Sequence, residues 1–258
     1  MTQKFLWMRE IYVRIDNGRD VANFQYKNEW SNVLEIHFSV PFSDEPKPEE
    51  CNIEIYNLSQ ASINKIKKGA HITLQAGYKG DVGLLSQGKI TSVTTRKAGV
   101  DKVTSILFSE GIDYSDKKDV NITFKKWTKA DTIIRRVASS AGIKIYSIHL
   151  PQNKSYKSGY TADGDALSII EEIVKDCKAA IYFRRGNLVI RSIQYGDDER
   201  FVLNDNTGLV ATPERFESDE LKGWTIRSLL QHRIATASII TLNSSVVKGS
   251  FRVKNGNA

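Results

Sequence analysis

Between Cys51 and Thr95 the chain reads CNIEIYNLSQASINKIKKGAHITLQAGYKGDVGLLSQGKITSVTT, and the order of local signals in it leaves little choice of fold. It reads as strand, short helix, strand, tight turn, strand. Ile53 and Ile55 alternate with Glu54 and Tyr56, which gives one apolar and one more polar strand face. Ser59 can accept a hydrogen bond from an orphan backbone N–H at a helix start, and Ile63 and Ile66 lie three apart on one helix face. The basic residues Lys65, Lys67 and Lys68 followed by Gly69 predict a left-handed C-terminal cap. Ile72, Leu74 and Ala76 then alternate again, and Gly77-Tyr78-Lys79-Gly80 supplies the positive backbone dihedrals of a turn.

The flanks extend the same pattern. Ile11, Val13 and Ile15 alternate before the turn signal Asn17-Gly18, Phe24 and Tyr26 form a return strand, and Leu34, Ile36, Phe38 and Val40 alternate ahead of a proline-rich acidic loop. Val103, Ser105 and Leu107 follow the turn at Lys97-Ala98-Gly99. Seven strands with frequent turns within the first 110 residues or so are the mark of a barrel or sandwich. After Gly111 the period changes. Thr128-Lys129-Ala130-Asp131 is a capping-box variant leading a helix face of Ala130, Ile133, Ile134, Val137 and Ala141, stopped by Gly142. Ile143 and Ile145 predict a short strand, 151–161 a polar loop, and Asp163 or Asp165 caps a second helix with Leu167, Ile170, Ile173, Val174 and Cys177 on its buried face. Residues 180–183 and 188–193 read as a hairpin around Arg185-Gly186-Asn187. Strand-like pieces return at 201–203, at Trp224, Ile226, Ser228 and Leu230, at 239–242, and at Phe251 and Val253. The fold class expected is therefore mainly β, two small barrel-like domains separated by a helix and hairpin domain, with boundaries at 1–117, 118–195 and 196–258.

With 258 residues, 40% of them hydrophobic, the chain has ample apolar content for packed cores. No run approaches the roughly 18 apolar residues of a membrane helix, and the apolar patch in the N-terminal MTQKFLWMREIYVRID is cut by Arg9 and Glu10, so no membrane insertion and cytoplasmic synthesis are expected. Cys51 and Cys177 stand far apart without CxxC partners and read as buried thiols. The net charge of +7 raises a nucleic-acid partner. Against this, the basic pairs Lys67-Lys68, Lys117-Lys118, Lys125-Lys126, Arg135-Arg136 and Arg184-Arg185 are scattered and have acids nearby, which reads as a solvated mixed-charge surface.

Chemistry is sparse. His37, His71, His149 and His232 show no spacing that would place two metal ligands on one face, and three of them fall on expected strands. There is no GxSxG elbow, P-loop or GxGxxG after a strand, and the glycines from Gly77 to Gly83 belong to a hairpin. Glu171-Glu172 and Asp197-Asp198 read as solvated charge, since adjacent helix residues point apart. The expectation is a non-enzyme with no catalytic, metal or cofactor residues and no cofactor. Two other classes compete: a cell-wall hydrolase, for which no cysteine-histidine or zinc constellation is present, and an OB-like nucleic-acid binder, which requires Tyr12, Tyr26, Tyr56 and Tyr78 to share one open face.

The words Tyr56-Asn57-Leu58, Lys68-Gly69, Ala76-Gly77-Tyr78 and Gly88-Lys89-Ile90, in this order of elements, resemble the first barrel of the hub family of tailed-phage tails and baseplates, with relatives in tail protein D and in the hub part of type VI secretion spike proteins. The resemblance implies an α+β insert between two related barrels, the second entered near Gly223-Trp224 and either abbreviated or completed by a neighbour's strands. It further implies a structural protein of the virion, made in the bacterial host cytoplasm. A homotrimer would form a ring fitting the sixfold tail tube or its initiator to a threefold central spike, with the tape measure protein and baseplate wedge as further neighbours and DNA only in transit. Positive charge on an inner wall would slow DNA, so the lysine pairs are expected outside the lumen or at protein interfaces.

Overall fold

The structure, a computed structural model, describes residues 7–27, 33–112, 114, 119–192, 196, 200–217 and 222–258. Lys117-Lys118, Asp197-Asp198, Ile193 and the residues around both expected domain boundaries lie wholly or partly outside the described residues. The chain is mainly β with a small helical insert.

The first part contains β1 (Arg9–Asp16), β2 (Val21–Lys27), β3 (Ile36–Ser39), β4 (Pro41–Phe42), β5 (Glu50–Tyr56), α1 (Gln60–Lys65), β6 (His71–Tyr78), β7 (Asp81–Ala98) and β8 (Asp101–Glu110). Seven of these strands form one antiparallel sheet in the order β2-β1-β6-β7-β8-β5-β3. The alternation expected from the sequence is what the core uses: Val13, Ile15, Ile72 and Leu74 from one arm meet Ile53, Ile55, Ile106 and Phe108 from the other in a single cluster. Strand β7 makes this possible. It pairs with β6 through Lys89 and with β8 from Lys89 onward, and its ladder slips at Leu85 and again at Thr91. An extra residue in one strand bends it and increases its twist, so two slips turn this long strand around the core. Gly88 lies between them, where a Cβ would overlap the Ser109 carbonyl.

Two turn assignments differ from expectation. Ser59 does cap α1, accepting from the Ser62 N–H at 3.1 Å. The helix leaves through an extended Ile66, however, and Gly69 takes its positive φ of 82° in the following turn. In the hairpin, only Lys79-Gly80 forms the loop, with Gly80 at φ 79°; Gly77 sits within β6, where a side chain would overlap the Asp81 carbonyl. Close backbone approach, not turn geometry, demands glycine there.

The insert contains β9 (Asp119–Phe124), β10 (Thr128–Lys129), α2 (Ala130–Ala141), β11 (Ser147–Ile148), β12 (Ser155–Tyr156), β13 (Tyr160–Asp165), α3 (Ala166–Asp176), β14 (Ala180–Arg184) and β15 (Asn187–Arg191). Ile133, Ile134 and Val137 of α2 pack on Ile170, Ile173 and Val174 of α3 and on the β14–β15 hairpin. Gly142 ends α2 in the left-handed conformation, as its position predicts. The expected capping box does not form: Thr128 Oγ1 donates back to the Lys125 carbonyl, and Asn153 accepts the Asp131 N–H. At α3 the cap is Asp165, accepting from the Ser168 N–H at 2.7 Å. The short strand expected at Ile143 and Ile145 forms instead at Ser147–Ile148, parallel to β15, and the expected loop 151–161 gives way to β12 and the start of β13, which pairs with β9.

The C-terminal part contains β16 (Arg200–Leu203), a 3-10 turn at Asp205–Thr207, β17 (Glu214–Glu217), β18 (Lys222–Thr225), β19 (Ile239–Asn243), β20 (Lys248–Arg252) and β21 (Gly256–Asn257). Among the described residues it holds a three-stranded sheet, β16-β19-β20, and the β17–β18 ribbon, and β21 pairs with β4 of the first part. Of the strand expected from Trp224 to Leu230, only residues up to Thr225 lie in a ladder, with an isolated bridge at Ser228. Among the described residues no helix is long and apolar enough to cross a membrane.

Candidate functional site at the junction of sheet, insert and C-terminal segment

Residues 231–238 carry no regular structure, yet Ala235 to Ser238 are buried. A buried irregular segment needs partners for its backbone groups, because each unpaired one costs free energy. Here two arginines of the insert supply donors. Arg184 donates to the Thr236 carbonyl and, at 3.3 Å, to Ser238 Oγ. Arg185 Nη2 donates to the carbonyls of His232 at 2.8 Å and Arg233 at 3.2 Å. This pair departs from the solvated surface expected of the basic doublets, whereas Lys67, Lys68, Lys125, Lys126, Arg135 and Arg136 are exposed.

The first sheet supplies the anions. Asp81, at the start of β7, receives Arg233 in a two-point contact and lies 3.1 Å from His232 Nε2. Its side chain is only 14% exposed, so the charge pairing is little screened. Glu110, at the end of β8, accepts the Gly186 N–H at 2.8 Å. Burial pushes its carboxyl up to about 7, against the lowering effect of that hydrogen bond and of Arg185. On the other side Asp44 accepts from Arg252 at 2.8 Å, Thr236 Oγ1 donates to the Ser43 carbonyl, and Val40 and Ala258 exchange both backbone hydrogen bonds at 3.0 Å.

Close contact replaces side chains where the three parts meet. A Cβ on Gly83 would overlap the His232 ring, one on Gly186 would overlap Gln87, and one on Gly111 would meet the Phe183 ring. Chemically the junction is a clamp, with charges paired across packed backbone.

The residues weighed for chemistry do not gather. His37 is exposed on β3 beside Glu35, His71 is exposed at the start of β6, and His149 and His232 fall outside strands. Among the described residues no three His, Cys, Asp or Glu side chains are grouped as metal ligands would be. Both cysteines are buried and unpaired, and burial pushes the Cys51 thiol up to about 12. Glu171 is half-buried and Glu172 exposed, on different sides of α3. Of the four tyrosines, Tyr78 is buried and Tyr26 packs on the core, while Tyr12 and Tyr56 lie on β1 and β5 with three strands between them. They form no shared stacking face.

Asp81, Glu110 and Arg233 escape sequence reading because a lone charged residue looks solvated. The glycine-rich run in β7 is the one signal that another chain segment comes close.

The folded backbone has solved counterparts. It matches a tail protein from Neisseria meningitidis with a TM-score of 0.61 at 9% identity, over 97% of this chain and 92% of that one. The chain has the fold of phage tail proteins. A second tail protein with this fold, the 43 kDa protein of prophage MuSo2 from Shewanella oneidensis, matches with a TM-score of 0.54 at 15% identity, over 93% of this chain and 74% of that one. An Escherichia coli type VI secretion component, described as structurally similar to the T4 bacteriophage tail proteins gp27 and gp5, matches with a TM-score of 0.60 at 7% identity, over 95% and 72%. No protein-family model and no curated protein matches the sequence. At these identities the tail-protein fold is shared as backbone topology.

Proposed function

We propose that the chain is a structural hub at the tail tip or baseplate of a tailed phage, prophage or phage-derived bacteriocin. It would be divided into domains at 1–117, 118–195 and 196–258, and would act in the virion without catalysis or a cofactor. The observation that carries this reading is the tail-protein fold, shared along nearly the whole of both chains with the Neisseria protein. In this role three copies form a ring that adapts the sixfold tail tube, or its initiator, to the threefold central spike; tape measure and baseplate wedge proteins are further neighbours, and DNA only passes through.

A ring that bears load needs a stiff subunit, and the clamp holds sheet, insert and C-terminal segment as one block. Ring closure needs a repeated head-to-tail interface. Among the described residues the edge of the sheet at β2 is suited to one, because edge strands present unpaired backbone groups, whereas the edge at β3 runs on into Val40 and β4, which pair with the C-terminal residues.

The test is the solution mass by light scattering across a concentration series, without nucleic acid. The expected result is a concentration-independent species of about 87 kDa, three times 29.1 kDa. A monomer at every concentration that also fails to trimerise when tail tube and spike proteins are added overturns the reading.

A further inference from the structure

We propose that the turn at Trp127 in the insert is a docking tip for an anionic lipid bilayer surface. Trp127 follows β9 in the turn Lys125-Lys126-Trp127-Thr128, whose ends are tied by the Thr128 N–H and Oγ1 donating to the Lys125 carbonyl at 3.3 and 2.7 Å. Its φ is 67°, while Lys126 is not among the positive-φ residues, the pattern of a type II turn. That third position favours glycine or asparagine, and any other residue is strained there. The sequence places tryptophan in it, with 64% of the residue exposed. Neither turn chemistry nor core packing selects an exposed, strained tryptophan. The backbone is nonetheless held, since the Trp127 N–H donates to the Tyr156 carbonyl at 2.8 Å.

The segments around the turn are rich in positive charge, with Asp131 and Asp163 just beyond their ends. Residues 122–130 and 150–162, joined by the β10–β12 pairing, contain no Asp or Glu and carry Lys125, Lys126, Lys129, Lys154 and Lys157, all exposed. Lys157 lies 5.9 Å from the centre of the Trp127 ring, and Lys154 is committed to Asp176 at 2.7 Å. Tryptophan favours the bilayer–water interface, and clustered lysines favour anionic headgroups. Buried apolar area and attraction to anionic lipid add in peripheral binding, and this turn offers both. A single-stranded nucleic acid fits less well, because stacking platforms use several exposed rings and in residues 122–130 and 150–162 Trp127 is the one exposed ring: Tyr156 and Tyr160 pack on each other at 5.0 Å and on the insert core.

The experiment is co-sedimentation of the full chain at low salt with vesicles of phosphatidylcholine alone or mixed with phosphatidylglycerol. The same assay is run on Trp127→Gly and on a Lys125→Ser, Lys126→Ser, Lys157→Ser triple variant. Glycine suits the turn, so Trp127→Gly folds, which its melting temperature checks. Expected are binding to the phosphatidylglycerol vesicles only, a loss of about tenfold in partitioning for Trp127→Gly, and loss of lipid selectivity in the lysine variant. No binding by the parent chain, or binding that Trp127→Gly leaves unchanged, overturns the proposal. Trp127-dependent binding to an oligothymidine strand with none to vesicles overturns it in favour of nucleic acid.

Discussion

Gly83 and His232 are in direct contact: the imidazole of His232 fills the space that a side chain at position 83 would occupy, and its Nε2 reaches Asp81 two residues away on the same strand. The contact joins the most strand-rich part of the chain to a segment with no regular structure of its own. It also explains why β7 can carry a glycine two residues into its length, where an isolated strand would be weakened by one.

Gly83→Ala is therefore expected to destabilise by about 1–3 kcal/mol, the usual range for overpacking a filled site. His232→Ala also destabilises, by removing the ring from Asp81. Together they should cost less than their sum, because the smaller side chain at 232 makes room for the new methyl. Denaturant unfolding of the four proteins in a double-mutant cycle measures this, and strict additivity would show that the two positions do not touch.

Arg233→Ala leaves Asp81 with His232 but without its two-point partner in a site where the carboxylate is 14% exposed. Removing one member of a buried pair costs about 3–5 kcal/mol, and Arg233, at 28% exposed, places the expected loss below that, at about 2 kcal/mol. Amide exchange should rise from residue 231 to β19 while β1 and β6 keep their protection, since those strands have a core of their own. Uniform loss of protection across the chain would argue against a local clamp.

The sheet was legible in the sequence where burial is one-sided. Ile11, Val13 and Ile15, Ile53 and Ile55, and Ile72 and Leu74 alternate because each faces a single core, and the period of two survives in the chain as written. Short pairings were not legible: β11 and β12 hold two residues each, and their position is set by β15 and β10, to which no local pattern points. The clamp was hidden for a different reason. Asp81, Glu110, Arg185 and Arg233 owe their burial to contacts between residues far apart in sequence, and each taken alone has the character of surface charge. The resemblance to tail hubs rested on the Cys51–Thr95 segment, which is the part where turn residues and alternation reinforce one another.

Helix starts test how far local motifs can be trusted. Asp165 binds the Ser168 N–H directly, so Asp165→Ala should cost about 1 kcal/mol. At α2 the equivalent loss should come from Asn153→Ala, because Asn153 takes the Asp131 N–H from outside the helix. Thr128→Ala removes a bond to the Lys125 carbonyl and should loosen the turn before α2, not the helix. Thermal unfolding with helix-resolved exchange distinguishes these; a larger effect of Thr128→Ala than of Asn153→Ala on α2 would restore the capping box.

Glu110 gives the junction a pH dependence whose sign follows from its surroundings. It is 3% exposed, with Glu49 adding repulsion and Arg185 and the Gly186 N–H opposing it, and its carboxyl is raised from 4.5 to about 7. A group raised on folding binds more protons in the folded state, so its stabilising contribution is fully present below about 4.5 and is lost as pH rises through about 7. The full span corresponds to an upper bound of about 3 kcal/mol. Glu110→Gln keeps an oxygen for the Gly186 N–H and removes the ionisation. The variant should be more stable than the parent at pH 8, and the difference should shrink towards pH 5. Comparing the two proteins isolates this group from Asp131 and Asp176, whose lowered carboxyls destabilise only as pH falls through their own range. Melting curves of both proteins at pH 5, 6, 7 and 8 make the measurement. A difference that stayed constant across that series would mean that Glu110 does not titrate there, and that the clamp holds it charged at every pH tested.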